Sequence, residues 1–497
     1  MIPIFAIFHT NMRKIPRCMS TQHPDNVSIP FFAKNPELDG EDEVMEAFYV
    51  FSHLGADEQM WDYEGKEGDD YVVKKLLSKY KYFFKENRLG KDIFLTLRIP
   101  NPEFEVVEAK ILLETLESIP RSFDTAYTVF KDEISPIFEV ILPMTTSAKS
   151  LERVYRYYTD FVVGKEEKPI FDSDIKVKDW VNEFKPKKIY VIPLFEDFEH
   201  IVNADSIVEE YVKEKDFEYL RVFLARSDPA MNYGLISAVL IVKLALYKLW
   251  KLSNRIGLPI YPIVGVGSAP FRGNLKPNNV LKIANEYRSV HTYTVQSSFK
   301  YDYPVNEVVE GLKQLKGILP TNPKEIDEKF VLDFFKRGSL TYFLHVENLE
   351  PVINKVAKHI PSRRKRKLHV GLFGYSRDNA KLKLPRAIAF TGSLYSIGVP
   401  PEILDLIAIE KDDYFKIKSL YENFESDLKD ALKFANVDSP FFPKEVLRKL
   451  EEFGISFEVN EEHKELTKAI YSTVLDLKNY NLDELILRAS LIRKFIG

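Results

Sequence analysis

Two acidic residues directly follow short apolar runs in this chain: Glu196 follows 189–195 and Asp228 closely follows 221–225. If both runs are neighbouring parallel strands, both carboxylates sit at one rim. Such a pair of hard oxygen donors suits Mg²⁺ or Mn²⁺, which takes one or two protein carboxylates and completes its shell with water and substrate oxygens. The competing role for each acid is to cap the helix that follows, since acids favour helix N-termini. Arginines recur at the same topological position. Arg98 closes the run 93–99, Arg226 follows 221–225, Arg272 lies in the loop after 259–266, Arg377 lies just beyond 368–373, and Arg386 opens the helical stretch after it. A guanidinium is a planar fork of donors that matches phosphate and carboxylate oxygens. A single arginine of this kind is ordinarily a surface ion pair of small worth. Several at one rim, around two carboxylates, describe a site for a small, highly charged anion.

Two further segments could contribute. The chain has only 20 glycines, yet Gly265-Val-Gly-Ser-Ala-Pro-Phe-Arg-Gly273 holds three of them, Gly265, Gly267 and Gly273. Glycines let backbone N–H groups approach an anion and let a loop hinge; a plain strand-to-helix turn is the simpler reading. The spacing is not the dinucleotide fingerprint, so no nicotinamide cofactor is expected. Nor is there a Gly-x-x-x-x-Gly-Lys-Ser/Thr loop for ATP, or a biotinyl-lysine motif. Near the start stands Ser20-Thr-Gln-His-Pro-Asp-Asn26. Pro24 biases His23 to an extended backbone, and an imidazole there can hold or move a proton near neutral pH.

Positioning these groups at one rim requires a particular fold. Apolar, β-rich runs occur at 59–63, 93–99, 138–144, 189–195, 221–225, 259–266, 291–295 and 368–373, with helical patterns between them. Several are continuously hydrophobic, as strands buried on both faces are. Eight such runs with helical crossovers predict an α/β protein, a (β/α)8 TIM-type barrel with helical insertions, whose chemistry lies at the C-terminal rim. The reading divides the chain into a leader segment, 1–49, contributing to the site; a barrel, 50–405, with a helical insertion at about 304–362; and a helical C-terminal region, 406–497. In the last, Leu485, Ala489, Ile492 and Ile496 fall on one helical face.

Composition narrows the function classes. A net charge of -4 over 497 residues provides no global attraction to nucleic acid or an anionic membrane. A single cysteine, Cys18, excludes an intrachain disulfide and a multi-cysteine metal site, in keeping with a reducing cytoplasm. The apolar start, 2–8, is too short to span a bilayer, and Met12 is an alternative initiator. The basic run Arg363-Arg-Lys-Arg-Lys367 looks like a nucleic-acid patch. Without a second basic cluster or an aromatic platform it reads instead as a solvated turn before the eighth strand.

Four segments, taken in order, resemble phosphoenolpyruvate carboxylases of the archaeal type. They are Ser20-Thr-Gln-His-Pro-Asp-Asn26, Met60-Trp-Asp-Tyr-Glu-Gly-Lys66, Phe138-Glu-Val-Ile-Leu-Pro-Met-Thr-Thr-Ser147 and Leu368-His-Val-Gly-Leu-Phe-Gly-Tyr-Ser-Arg377. The resemblance runs from about Met12 to the C-terminal helices. It implies that bicarbonate and phosphoenolpyruvate are joined into oxaloacetate and phosphate, through carboxyphosphate and an enolate, by a cytoplasmic homotetramer using Mg²⁺ or Mn²⁺. By similarity to the longer carboxylases it implies Glu196 and Asp228 as metal ligands, His23 as the proton-transferring residue, and Arg272 as the loop arginine. Arg98 and Arg386 would hold substrate phosphate and carboxylate. A second loop arginine of those enzymes falls on Val266 here, and a lysine falls on Met231; Arg226 and Arg377 are the expected substitutes. Two rival readings are another Mg²⁺-dependent lyase or aldolase on the same barrel, and a non-enzymatic RNA-binding or scaffold protein.

Overall fold

The computed structural model describes residues 13–372 and 382–497. Eight parallel strands close into a barrel in sequence order: β1 Cys18–Ser20, β2 Glu58–Asp62, β3 Phe94–Arg98, β4 Glu139–Leu142, β5 Tyr190–Phe195, β6 Leu220–Ala225, β7 Ile260–Gly265 and β8 Thr292–Val295. The ring closes where Met19 of β1 pairs with Thr294 of β8. Helices cover the outside, so strand residues are buried on both faces; every residue of β5 and β6 is buried. That two-sided burial is why these runs lack the polar alternation of a half-exposed strand.

The predicted barrel is present, with one strand exchanged. The run at 368–373 is not a strand: Leu368–Leu372 makes turns, and residue 373 lies outside the described residues. Leu368 is fully exposed, so its apolar character does not mark a core position. The missing stave is β1, inside the segment expected to be a leader. Cys-Met-Ser is too short to display any periodicity. The runs expected as strands one to seven are therefore β2 to β8. The helices Val305–Gly317 and Glu328–Ala357 follow the last strand and do not separate two strands.

The N-terminal end of the barrel is closed by a polar layer. Arg221 of β6 donates to Glu58 of β2 at 2.8 and 2.7 Å and to Glu139 of β4 at 2.9 Å, and it also reaches Thr292 of β8 at 3.3 Å. The layer draws on the even-numbered strands, the alternation expected of barrel interiors. Met19, Met60, Ile141, Ile192, Leu194, Phe223, Ala225 and Ile263 form an apolar cluster of their own. With one end plugged, the accessible opening is the C-terminal rim.

The C-terminal helices pack on the barrel. Ala489 and Ile496 are buried, and Leu485 and Ile492 pack against the core. Beyond the helix Leu482–Arg493, the Ile496 N–H donates to the Asp25 carbonyl at 2.8 Å. Among the described residues no helix is long and apolar enough to cross a membrane.

Candidate active site

The C-terminal rim opens into a cavity of about 1180 Å³ whose walls include His23, Arg98, Glu196, Arg226, Asp228, Gly265, Arg272 and Arg386. Thus one cavity collects eight of the eleven residues singled out from sequence. Arg377 lies outside the described residues. Gly267 and Gly273 shape the loop behind the wall.

Glu196 immediately follows β5, and Asp228 lies in the first turn of the helix Ser227–Tyr233 that follows β6. The two strands are hydrogen-bonded neighbours, with Phe195 beside Leu224. Helix capping after β5 falls to Asp197, whose side chain accepts from the His200 N–H. Glu196 instead turns to the cavity wall, where its Oε2 accepts from the Met144 N–H at 2.6 Å. Among the described residues no group of three or more His, Cys, Asp or Glu side chains could hold a metal. Two carboxylates at the ends of adjacent strands, both lining the cavity, are the donor type Mg²⁺ takes, with its remaining positions going to water and substrate oxygens.

The arginines differ in what occupies them. Arg98 ends β3, directly in register with Asp62 at the end of β2. Its Nε and Nη2 donate to the two Asp62 oxygens at 2.9 and 2.6 Å, and Nη1 lies 3.0 Å from Glu64. Arg226 is buried and donates to the Phe271 carbonyl at 2.9 Å and the Tyr287 hydroxyl at 3.2 Å. It therefore anchors the glycine loop as it lines the cavity. Arg272 donates to Gln296 Oε1 at 2.6 Å, the Gly497 carbonyl at 2.7 Å and Ser227 Oγ at 3.2 Å, and pairs with Asp25 at 3.4 Å.

The glycine loop is packed. Ala269 and Phe271 are fully buried, and the Phe271 ring packs near those of Tyr342 and Phe390, with centroids 6.4 and 6.1 Å away. Gly273 has φ +120°, where a Cβ would lie 2.5 Å from Val266 Cγ1. Gly267 lets the chain pass Gln296 and Arg272, which a Cβ would meet at 2.8 and 3.2 Å.

His23 Nδ1 lies 2.9 Å from Thr21 Oγ1, which orients the ring, and no hydrogen bond joins Nε2 to another described residue. Burial, then the guanidinium groups of Arg98 and Arg272, hold the imidazole well below its ordinary range, with Asp62 opposing them. The ring is neutral at physiological pH and can accept a proton.

The run 363–367 is not a solvated turn. Arg363, Arg364 and Lys367 are buried. Arg364 pairs with Glu43 and Glu46 of the helix Gly40–Tyr49 at 2.7 and 2.8 Å, and Lys367 pairs with Glu108. Acids distant in sequence neutralise the cluster, which explains its burial. Sequence reasoning also missed Asp25, Asp62, Glu64 and Gln296, the partners of the cavity arginines. Asp62 had a legible signal: it ends its strand as Arg98 ends the next.

A family model described as phosphoenolpyruvate carboxylase matches residues 15–497. The phosphoenolpyruvate carboxylase of Methanothermobacter thermautotrophicus is 53% identical over 484 residues, 97% of this chain and 100% of that protein. That of Methanospirillum hungatei JF-1 is 52% identical over 484 residues, with the same coverage. That of Pyrococcus abyssi is 53% identical over 441 residues, 88% of this chain and 93% of that one. Among solved structures, an HpcH/HpaI aldolase from Desulfitobacterium hafniense DCB-2 covers 61% of this chain and 95% of its own, at 13% identity and a TM-score of 0.32. That likeness is too distant to bear on chemistry. Matched along almost its whole length to relatives at half identity, the chain belongs to the phosphoenolpyruvate carboxylase family, archaeal type.

Proposed function

We propose that the protein condenses bicarbonate with phosphoenolpyruvate to give oxaloacetate and inorganic phosphate. The observation that carries this reading is the convergence of Glu196, Asp228, Arg98, Arg272 and a neutral His23 on one cavity at the barrel rim. Glu196 and Asp228 are the residues that would hold Mg²⁺ or Mn²⁺. When bound, the ion supplies positive charge to the enol oxygen of the substrate as negative charge grows there.

The residues of the chain supply the rest. Arg98 and Arg386 orient the phosphate and carboxylate of phosphoenolpyruvate, with Arg272 on the opposite side of the cavity. A bicarbonate oxygen attacks phosphorus, and the bond from phosphorus to the enol oxygen breaks with its electron pair passing to that oxygen. The products are carboxyphosphate and the enolate of pyruvate. His23 Nε2 takes the carboxyl proton of carboxyphosphate, which divides into CO₂ and phosphate, and the proton returns to phosphate. The enolate carbon then bonds to CO₂. Phosphoryl transfer provides the driving force, consistent with a mechanism that uses no ATP or biotin. The packed loop from Gly265 to Gly273 keeps water from the enolate, whose protonation would waste it as pyruvate.

The test is oxaloacetate formation, coupled to malate dehydrogenase, with and without bicarbonate. Oxaloacetate and phosphate formed one to one, only with bicarbonate, support the reading. Cleavage of a citrate-like or aldol substrate instead would favour the lyase alternative. The homotetramer belongs to the same proposal and is checked by light scattering.

A further inference from the structure

The segment 363–367 carries one side chain whose situation differs from the rest. Arg363 donates to the Val27 carbonyl at 2.9 Å. Arg364 is paired with two glutamates and Lys367 with a third. Arg366 lines the cavity, and no hydrogen bond or ion pair joins it to any other described residue. The backbone around it is stapled. The Lys365 N–H donates to the Leu38 carbonyl and the Lys367 N–H to the Gly65 carbonyl, both at 3.1 Å. Arg366 is therefore held between two anchored neighbours, its guanidinium presented to the open space.

Its electrostatic surroundings are unfavourable. The largest charge effects on it come from the guanidinium groups of Arg386, Arg98 and Arg364, opposed by Asp62. Burial and this repulsion lower its proton affinity to about 9. Asp62 is already gripped by Arg98 through both oxygens. A guanidinium on a cavity wall with no acceptor among the described residues, crowded by like charges, is a ready partner for an anion. It also acts on His23, together with Arg98 and Arg272, so it faces the region where the proposed proton transfer occurs.

We infer that Arg366 is a substrate-binding residue whose fork receives the phosphoryl dianion of the substrate, alongside an Arg98 already partly engaged by Asp62 and Glu64. This rests on the functional reading above for the identity of the substrate. The chemistry recognised, a phosphate group, does not depend on it. A dianion at that point supplies acceptor oxygens to a guanidinium that has none among the described residues.

The test uses full-length Arg366→Gln and Arg366→Lys. Inorganic phosphate and oxalate, a carboxylate without phosphate, serve as probes in thermal melting. The wild-type melting temperature is expected to rise with each probe. In Arg366→Gln the rise with phosphate disappears and the rise with oxalate persists. The KM for phosphoenolpyruvate rises about 100-fold in Arg366→Gln and about 10-fold in Arg366→Lys. The melting temperature without ligand stays the same or rises, because the removed charge was repelled and made no bonds. A merely structural role predicts the reverse: a lower melting temperature and a near-normal KM. Phosphate protection and KM within twofold of wild type in Arg366→Gln would overturn the assignment, as would loss of both probes together. If the wild-type enzyme failed to carboxylate phosphoenolpyruvate, the functional reading would fall, and dependence of phosphate protection on Arg366 would still be decided.

Discussion

Arg98 and Asp62 end adjacent strands in register and meet in a two-pronged ion pair, Nε to Oδ1 at 2.9 Å and Nη2 to Oδ2 at 2.6 Å. Both side chains are almost fully buried. The arginine draws the Asp62 carboxyl far below the usual carboxylate range, against the opposing effect of burial. The pair brings a fixed cation to the cavity wall and cancels most of its charge.

Removing the acid tests this relationship. In Asp62→Asn the guanidinium loses its two-pronged partner, keeps Glu64 and remains beside Arg366. Loss of one partner of a buried ion pair costs about 3 kcal/mol or more. The melting temperature should fall by several degrees, and kcat/KM for phosphoenolpyruvate by at least about tenfold. Wild-type values of both would show that Asp62 does not position Arg98.

Asp228→Asn keeps the shape of the side chain but removes the charge proposed to hold the divalent ion. Turnover should fall by about 1000-fold or more, as expected when a stabiliser of developing charge is lost. The fold should persist, with an unchanged circular dichroism spectrum. Wild-type turnover with Mg²⁺ would remove Asp228 from the mechanism.

The neutral state of His23 fixes the direction of a pH effect. Because burial and nearby guanidinium groups depress its proton affinity, the imidazole is ready to accept a proton at pH 7 and loses that capacity only as pH falls. The acid limb of kcat/KM should lie below the ordinary histidine value of about 6.5. Arg272→Gln removes one of those guanidinium groups and should move the limb upward, as followed by initial rates across pH. His23→Gln should abolish the limb along with most of the activity.

Glu402 links stability to pH. It is fully buried in the turn Pro401–Ile403, accepts from the Tyr395 hydroxyl at 2.6 Å, and is pushed up to about 7 by burial. A carboxyl whose affinity for protons is raised by folding gives stability that is fully present below its unfolded value, near 4.5, and lost as pH rises through about 7. The loss amounts to roughly 3 kcal/mol. Glu402→Gln should flatten the decline of melting temperature between pH 5 and about pH 8; an unchanged slope would contradict this.

Gly273→Ala introduces a Cβ at φ +120°, 2.5 Å from Val266 Cγ1. Strain of this kind costs about 1–3 kcal/mol, relieved by shifting the adjacent Arg272. A fall in kcat/KM of about tenfold is expected, larger than the fall for Gly257→Ala. Gly257 also has positive φ, but a Cβ there meets nothing within 4 Å.

Sequence alone determined that the chain is a barrel, because runs buried on both faces must be apolar throughout and so announce themselves. It also determined the placement of Glu196, Asp228, Arg98 and Arg272 near one rim, since the end of a strand is a position that can be read from where the run stops. The tertiary structure decided which stave begins the ring: the three residues Cys18–Ser20 are too few to carry a period. It also decided the state of each charge. Arg226 and Arg272 are held by loop and chain-end oxygens, Arg98 by Asp62, and Arg364 by Glu43 and Glu46, whereas Arg366 faces the cavity. Residue type fixes the sign of a charge, but its partners come from hundreds of residues away, and only folding determines which cations are already neutralised.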